Sequence, residues 1–91
     1  LTIERSRQAV PMIAALREQS ERIREEVNSL ALRRIARGET AEGAIEFATA
    51  ALMKKLLHNP SIALRKAGEE SDKSMIQAAR TLFKLDKDEK A

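Results

Sequence analysis

The sequence predicts an all-α fold: one long helix followed by about three shorter ones, forming a helical bundle by dimerisation. Three observations carry this. Apolar residues recur every three or four positions over most of the 91 residues, and no alternating β-branched run interrupts them. Glycine and proline occur at five positions only (Gly38, Gly43, Gly68, Pro11 and Pro60), and most of them punctuate helical stretches. Aromatic residues make up 2% of the chain, Phe47 and Phe83 alone, so one copy has little with which to fill a core.

The first helix is expected over residues 10–37. Ile13, Leu16, Ser20, Ile23, Val27 and Leu30 alternate three- and four-residue steps, which makes a narrow apolar seam of coiled-coil type. Met12, Ala9 and Ala31 widen it at either end. Pro11 suits a helix start, or a kink if residues 1–10 continue a helix from upstream. Gly38 is the natural stop, with Arg33, Arg34 and Arg37 complementing the negative end of the helix dipole.

Thr40 is placed to cap a second helix, with Glu39 and Glu42 near its positive end. Ile45, Ala48, Thr49, Leu52, Met53 and Leu56 mark its apolar face, which is expected to run to about His58. Asn59-Pro60 predicts a boundary, because a residue before proline is pushed out of the helical region and proline suits a first turn. A short third helix is expected from Pro60 to about Ala67, ended by Gly68. Ser71 is the expected cap of a fourth, with Met75, Ile76, Ala79, Leu82 and Phe83 facing inward.

As domains, residues 1–10 read as the end of an upstream connecting helix or linker, residues 11–86 as one helical domain, and residues 87–91 as a charged tail. The chain starts at Leu1 rather than Met, which points to a piece of a longer protein.

Composition excludes several function classes. The chain has no cysteine, which removes disulfides, zinc–thiolate sites and thiol catalysis. With a single histidine besides, no conventional nitrogen/sulfur metal site can form within one chain. The glycines lie too far apart for a phosphate loop. No apolar run approaches the length of a membrane span, and no secretory signal opens the chain. Adjacent carboxylates at Glu25-Glu26 and Glu69-Glu70 lack any pattern that would enclose them for acid–base work. His58 reads as a helix-closing residue, and Met12, Met53 and Met75 as core fillers.

Net charge is +3, from 17 basic and 14 acidic residues, and the signs are interspersed as on solvated helix faces. Arg33, Arg34 and Arg37 cluster, as do Lys54, Lys55, Arg65 and Lys66. Without aromatics to stack bases, these are a weak nucleic-acid signal.

One motif is more specific. Lys54-Lys55-Leu56-Leu57-His58-Asn59-Pro60-Ser61-Ile62-Ala63-Leu64-Arg65-Lys66 closely resembles the K-L-L-H-x-P-[ST]-x-x-L-[RK] signature of the dimerisation domain of glutamyl-tRNA reductases. Lys55, Leu56, Leu57, His58, Pro60, Leu64 and Arg65 match it. Residues 9–26 look like the same family's P-x-I-x-x-L-R-x-x-x-E-x-I-R-x-E segment, and Ser74–Leu85 is similar to its closing helix. Lys54-Lys55 stands where many members have Asn-Lys or Asn-Arg.

The resemblance implies a homodimerisation module, inactive alone, of a cytoplasmic enzyme in tetrapyrrole biosynthesis. That parent enzyme reduces glutamyl-tRNA to glutamate-1-semialdehyde with NADPH. Its catalytic cysteine and histidine, and its cofactor domain, match no position here, so no catalytic, cofactor or metal residue is assigned. Glutamyl-tRNA, through the parent enzyme, and glutamate-1-semialdehyde aminomutase are the further partners implied. The residues expected in the dimer interface or core are Ile13, Leu16, Ile23, Val27, Leu30, Ile45, Leu52, Leu56, Ile62, Leu64, Met75, Leu82 and Phe83. The alternatives are a stand-alone helical adaptor or regulator, and a basic helical module that touches tRNA.

Overall fold

The computed structural model describes the backbone of residues 2–86 and the side chains of residues 7–86. The expected charged tail at 87–91 lies outside them. The described residues form three helices and no strand: α1 (Thr2–Ala36), α2 (Ala41–Glu69) and α3 (Lys73–Phe83). Their contacts gather into two units that divide between Leu56 and Leu57.

The all-α class is as expected, but two of the expected helix boundaries are absent. Pro11 lies inside α1. A proline there removes one backbone hydrogen bond and crowds the carbonyl four residues back. Ala9, Ala14, Ala15, Leu16, Arg17 and Glu18 around it are good helix formers and carry the helix across.

Pro60 likewise lies inside α2, so the predicted third helix is the continuation of the second. Leucine, lysine and alanine flank it on both sides, and beyond it Leu64 is half-buried and Ala67 buried. Local preference against a helix at Asn59 is outweighed by helix formers on either side and by packing beyond. The proline still leaves a mark. It has no N–H to donate to the carbonyl of Leu56, so one rung of the α2 hydrogen-bond ladder is missing.

The first unit contains an antiparallel hairpin of α1 and the start of α2. Its turn is a Schellman closure: Glu39 N–H donates to the Arg34 carbonyl at 3.0 Å, and Gly38 N–H to that of Ile35 at 3.0 Å. Gly38 has φ +107°, a conformation open to glycine at little cost. Thr40 then caps α2 as expected, its Oγ1 accepting from Gly43 N–H at 3.0 Å. A Cβ on Gly43 would lie 2.9 Å from Glu39 Oε2 and 3.2 Å from Thr40 Oγ1, so a larger residue there would push the Glu39 side chain aside.

The second unit holds the end of α2 and all of α3, joined by another Schellman turn. Asp72 N–H donates to the Ala67 carbonyl at 2.8 Å and Ser71 N–H to the Gly68 carbonyl at 3.2 Å. Ser71, at φ 56°, is the left-handed residue of that turn, and Gly68 lies within the helix before it. The expected cap at Ser71 is therefore displaced by one residue. Asp72 caps α3, its Oδ1 accepting from Met75 N–H at 3.1 Å and from Ser74 Oγ at 2.9 Å. The backbone bond from Met75, then the Ser74 hydroxyl, lowers the Asp72 pKa.

Two substitutions test these turns. Ser71→Gly relieves a left-handed serine, and Gly68→Ala removes a glycine from a helix interior where a Cβ meets nothing within 4 Å. Each is expected to raise unfolding free energy by about 0.5–1 kcal/mol in urea denaturation. Asp72 has a lowered pKa, so its stabilisation is complete above the ordinary aspartate value and is lost as pH falls through its own lower one. The protection factor of the Met75 amide, its exchange rate corrected for the intrinsic pH dependence, should therefore fall on acidification, and Asp72→Asn, which cannot titrate, should flatten that dependence.

Candidate functional site

The hairpin of the first unit is held in one register by two contacts. Lys55 Nζ lies 3.3 Å from Glu26 Oε2. Eight residues on along α1 and eight back along α2, the Arg34 guanidinium lies 4.1 Å from the centroid of the Phe47 ring. Both steps span roughly 12 Å at helical rise, so the two contacts define the same alignment. Arg34 also forks onto the turn, with Nε 2.6 Å from Glu39 Oε1 and Nη2 3.3 Å from Oε2. Its planar guanidinium serves the ring and the carboxylate together, which an ammonium group cannot do.

This arrangement changes the reading of the basic clusters. Arg34 and Lys55 are each committed to an acidic residue of the same hairpin. On α1, Arg24 donates Nε to Glu21 Oε2 at 3.0 Å. That hydrogen bond, with the charge behind it, lowers the Glu21 pKa and raises that of Arg24. His58 is exposed inside α2, so its expected role in closing a helix does not arise. Among the described residues no group of three His, Cys, Asp or Glu side chains could hold a metal ion. No described helix is long and apolar enough to cross a membrane.

What dominates the surface is apolar. The buried apolar residues are Val27, Ala44 and Ala67, while fifteen large apolar side chains of the described residues are exposed. Of the thirteen residues expected at the interface or core, Val27 is buried, and Ile23, Leu30, Leu52 and Leu64 are half-buried. Ile13, Leu16, Ile45, Leu56, Ile62, Met75, Leu82 and Phe83 are exposed, from 40% at Leu56 to 75% at Leu82. The inward face expected on α3 is thus uncovered in one chain; Ile76 and Ala79 alone of it are half-buried.

The α1 seam behaves in two ways. At Val27 it is closed by α2, and a shallow groove of about 150 Å³ remains beside it, lined by Arg24, Val27, Asn28, Ala31, Ala48, Thr49 and Leu52. At Ile13 and Leu16 the same stripe lies open, and beside it Val10, Ile13, Ala14 and Arg17 line a second groove of about 530 Å³.

Sequence reasoning missed Leu32 and Ile35, which are 58% and 46% exposed. They stand four and seven residues after Asn28, on the groove side of α1. The signal was available as a second apolar stripe, offset from the seam that ends at Leu30. Tracing a single stripe passed over it.

A helical domain with a fixed hairpin and most of its large apolar side chains uncovered has the character of an association module. Comparison with known proteins gives the family. The model described as "Glutamyl-tRNAGlu reductase, dimerisation domain" matches residues 2–85, and the chain belongs to that family. Glutamyl-tRNA reductases of Neisseria gonorrhoeae and Neisseria meningitidis are 43% identical to it over 84 residues, which is 92% of this chain and 20% of each relative. That of Chromohalobacter salexigens is 41% identical over 79 residues, 87% of this chain and 19% of the relative. The chain thus spans about a fifth of the length of the curated relatives it matches. No solved structure matches it.

The Arg34 junction is open to test. Arg34→Lys keeps the charge but loses the fork and the stacking. It is expected to lower unfolding free energy by about 0.5–1 kcal/mol in urea denaturation, whereas Arg33→Lys should leave it within about 0.5 kcal/mol of wild type.

Proposed function

We propose that this chain joins two subunits of a glutamyl-tRNA reductase by pairing with a second copy of itself. The observation that carries the reading is the amount of surface left open. Fifteen large apolar side chains of the described residues are exposed, against three buried apolar residues, two of them alanine. Exposed side chains such as Ile45, Leu56 and Leu82 supply apolar area for a partner to cover.

In this reading the chain's residues do mechanical work. Ile13, Leu16, Leu56, Ile62, Met75, Leu82 and Phe83 supply contact area, while Val27 and the Arg34 junction keep the hairpin rigid enough to present it. The chemistry belongs to the parent enzyme: NADPH-dependent reduction of glutamyl-tRNA to glutamate-1-semialdehyde, in tetrapyrrole biosynthesis. The paired module would hold two such catalytic arms at a set separation. A cytoplasmic setting goes with that reading. Contacts with tRNA and with an aminomutase rest on the family resemblance alone.

Light scattering at micromolar concentration is expected to give about twice the chain mass of 10.2 kDa. Leu56→Asp, which would bury an unpaired charge at the contact, should shift the chain toward monomer or unfold it. A wild-type monomer that unfolds cooperatively would overturn the proposal.

A further inference from the structure

The two sides of the hairpin in the first unit differ in charge. From Asn28 onward, one side carries Asn28, Leu32 and Ile35 of α1 and Ile45, Thr49 and Leu56 of α2. None of these is charged, in a chain where 34% of residues are. The shallow groove of about 150 Å³ lies on this side, with Asn28 and Thr49 on its walls and Arg24, paired with Glu21 of its own helix, at its far end. Charge gathers on the other side, where Glu26 meets Lys55, and Arg33 and Arg37 follow one helix face on from Glu26.

We propose that this aliphatic side receives the second copy, and that Asn28, paired across the two-fold axis with Thr49, sets the register of the pair. The inference rests on the homodimer reading above and names the face and the polar residue that reading leaves open. A two-fold contact brings the same patch onto itself, so the patch must complement itself. An aliphatic patch does so. The side bearing Arg33 and Arg37 would set like charges against like.

Asn28 and Thr49 are the neutral polar residues of the groove on that aliphatic side. Asn28 makes no side-chain hydrogen bond among the described residues. The Thr49 hydroxyl donates to the Glu46 carbonyl at 3.2 Å, which leaves its oxygen able to accept. Burial of Asn28 against leucine alone would strand both ends of its amide, whereas a register that sets its NH2 on Thr49 Oγ1 satisfies the donor end. A single buried asparagine in an apolar seam is a known way to select alignment at some expense of affinity. The exposed aliphatic side chains around it, Leu32 at 58% and Ile45 at 63%, supply the apolar area.

Sedimentation equilibrium of the 91-residue chain and two variants tests this, with far-ultraviolet circular dichroism to check folding. Leu32 is exposed in the single chain, so Leu32→Glu should keep its helicity while weakening dimerisation at least a hundredfold. Asn28→Leu should tighten association at least tenfold and add larger species or a second set of amide resonances, as register is lost. If Leu32→Glu dimerises like wild type, this face serves another occupant and the inference fails while the homodimer reading stands. An Asn28→Leu chain with unchanged affinity and one set of resonances overturns the register role. A monomeric wild type removes the homodimer reading itself.

Discussion

Shortage of buried apolar volume is the constraint from which the rest of this structure follows. Val27, Ala44 and Ala67 are buried, and two of those three carry a single methyl group. Folding must offset backbone entropy of about 1–2 kcal/mol per residue, and so small a core returns little against it. The chain compensates locally. Three helices satisfy their own backbone, and three Schellman-type endings close them, the last with Leu85 N–H on the Arg80 carbonyl at 2.9 Å. Apolar side chains left over are then available to another chain, which is how a small helical segment can act as a joint.

Polar contacts in such a molecule do geometric work that a core does elsewhere. Arg34 is the clearest case, because one side chain ties the turn at Glu39 to the facing helix at Phe47. Lys55 on Glu26 repeats the alignment further along. Each contact is partly exposed and modest in energy. Together they hold one register between helices whose buried contact is mostly alanine and valine, and so decide which side chains look outward. The aliphatic side of the hairpin is a product of that register.

Much of this was legible in the chain itself. The seam from Ile13 to Leu30, the stop at Gly38 and the cap at Thr40 depend on local rules: helical periodicity, a left-handed position that suits glycine, a hydroxyl within reach of a free N–H. The motif from Lys54 to Lys66 carried the family. Pro60 was misread, because the rule for proline states a preference of about 3 kcal/mol that flanking helix formers and packing can outweigh. Ser71 was misread for a similar reason. Serine and aspartate both cap helices, and only the fold shows that the turn needs a left-handed residue first, which leaves Asp72 to cap.

By itself the sequence determined that this protein is helical and that it belongs with the dimerisation domains of glutamyl-tRNA reductases. Those conclusions rest on periodicity, composition and motif, which are properties of neighbours along the chain. Tertiary structure alone decided that α2 runs unbroken through Pro60, that Arg34 binds Glu39 and Phe47 together, and that Asn28 and Ala31 line one groove with Thr49 and Leu52. Each depends on where a second segment lies in space. Helical spacing names the stripes on each helix; only the register between helices says which stripe is covered and which is left for a partner.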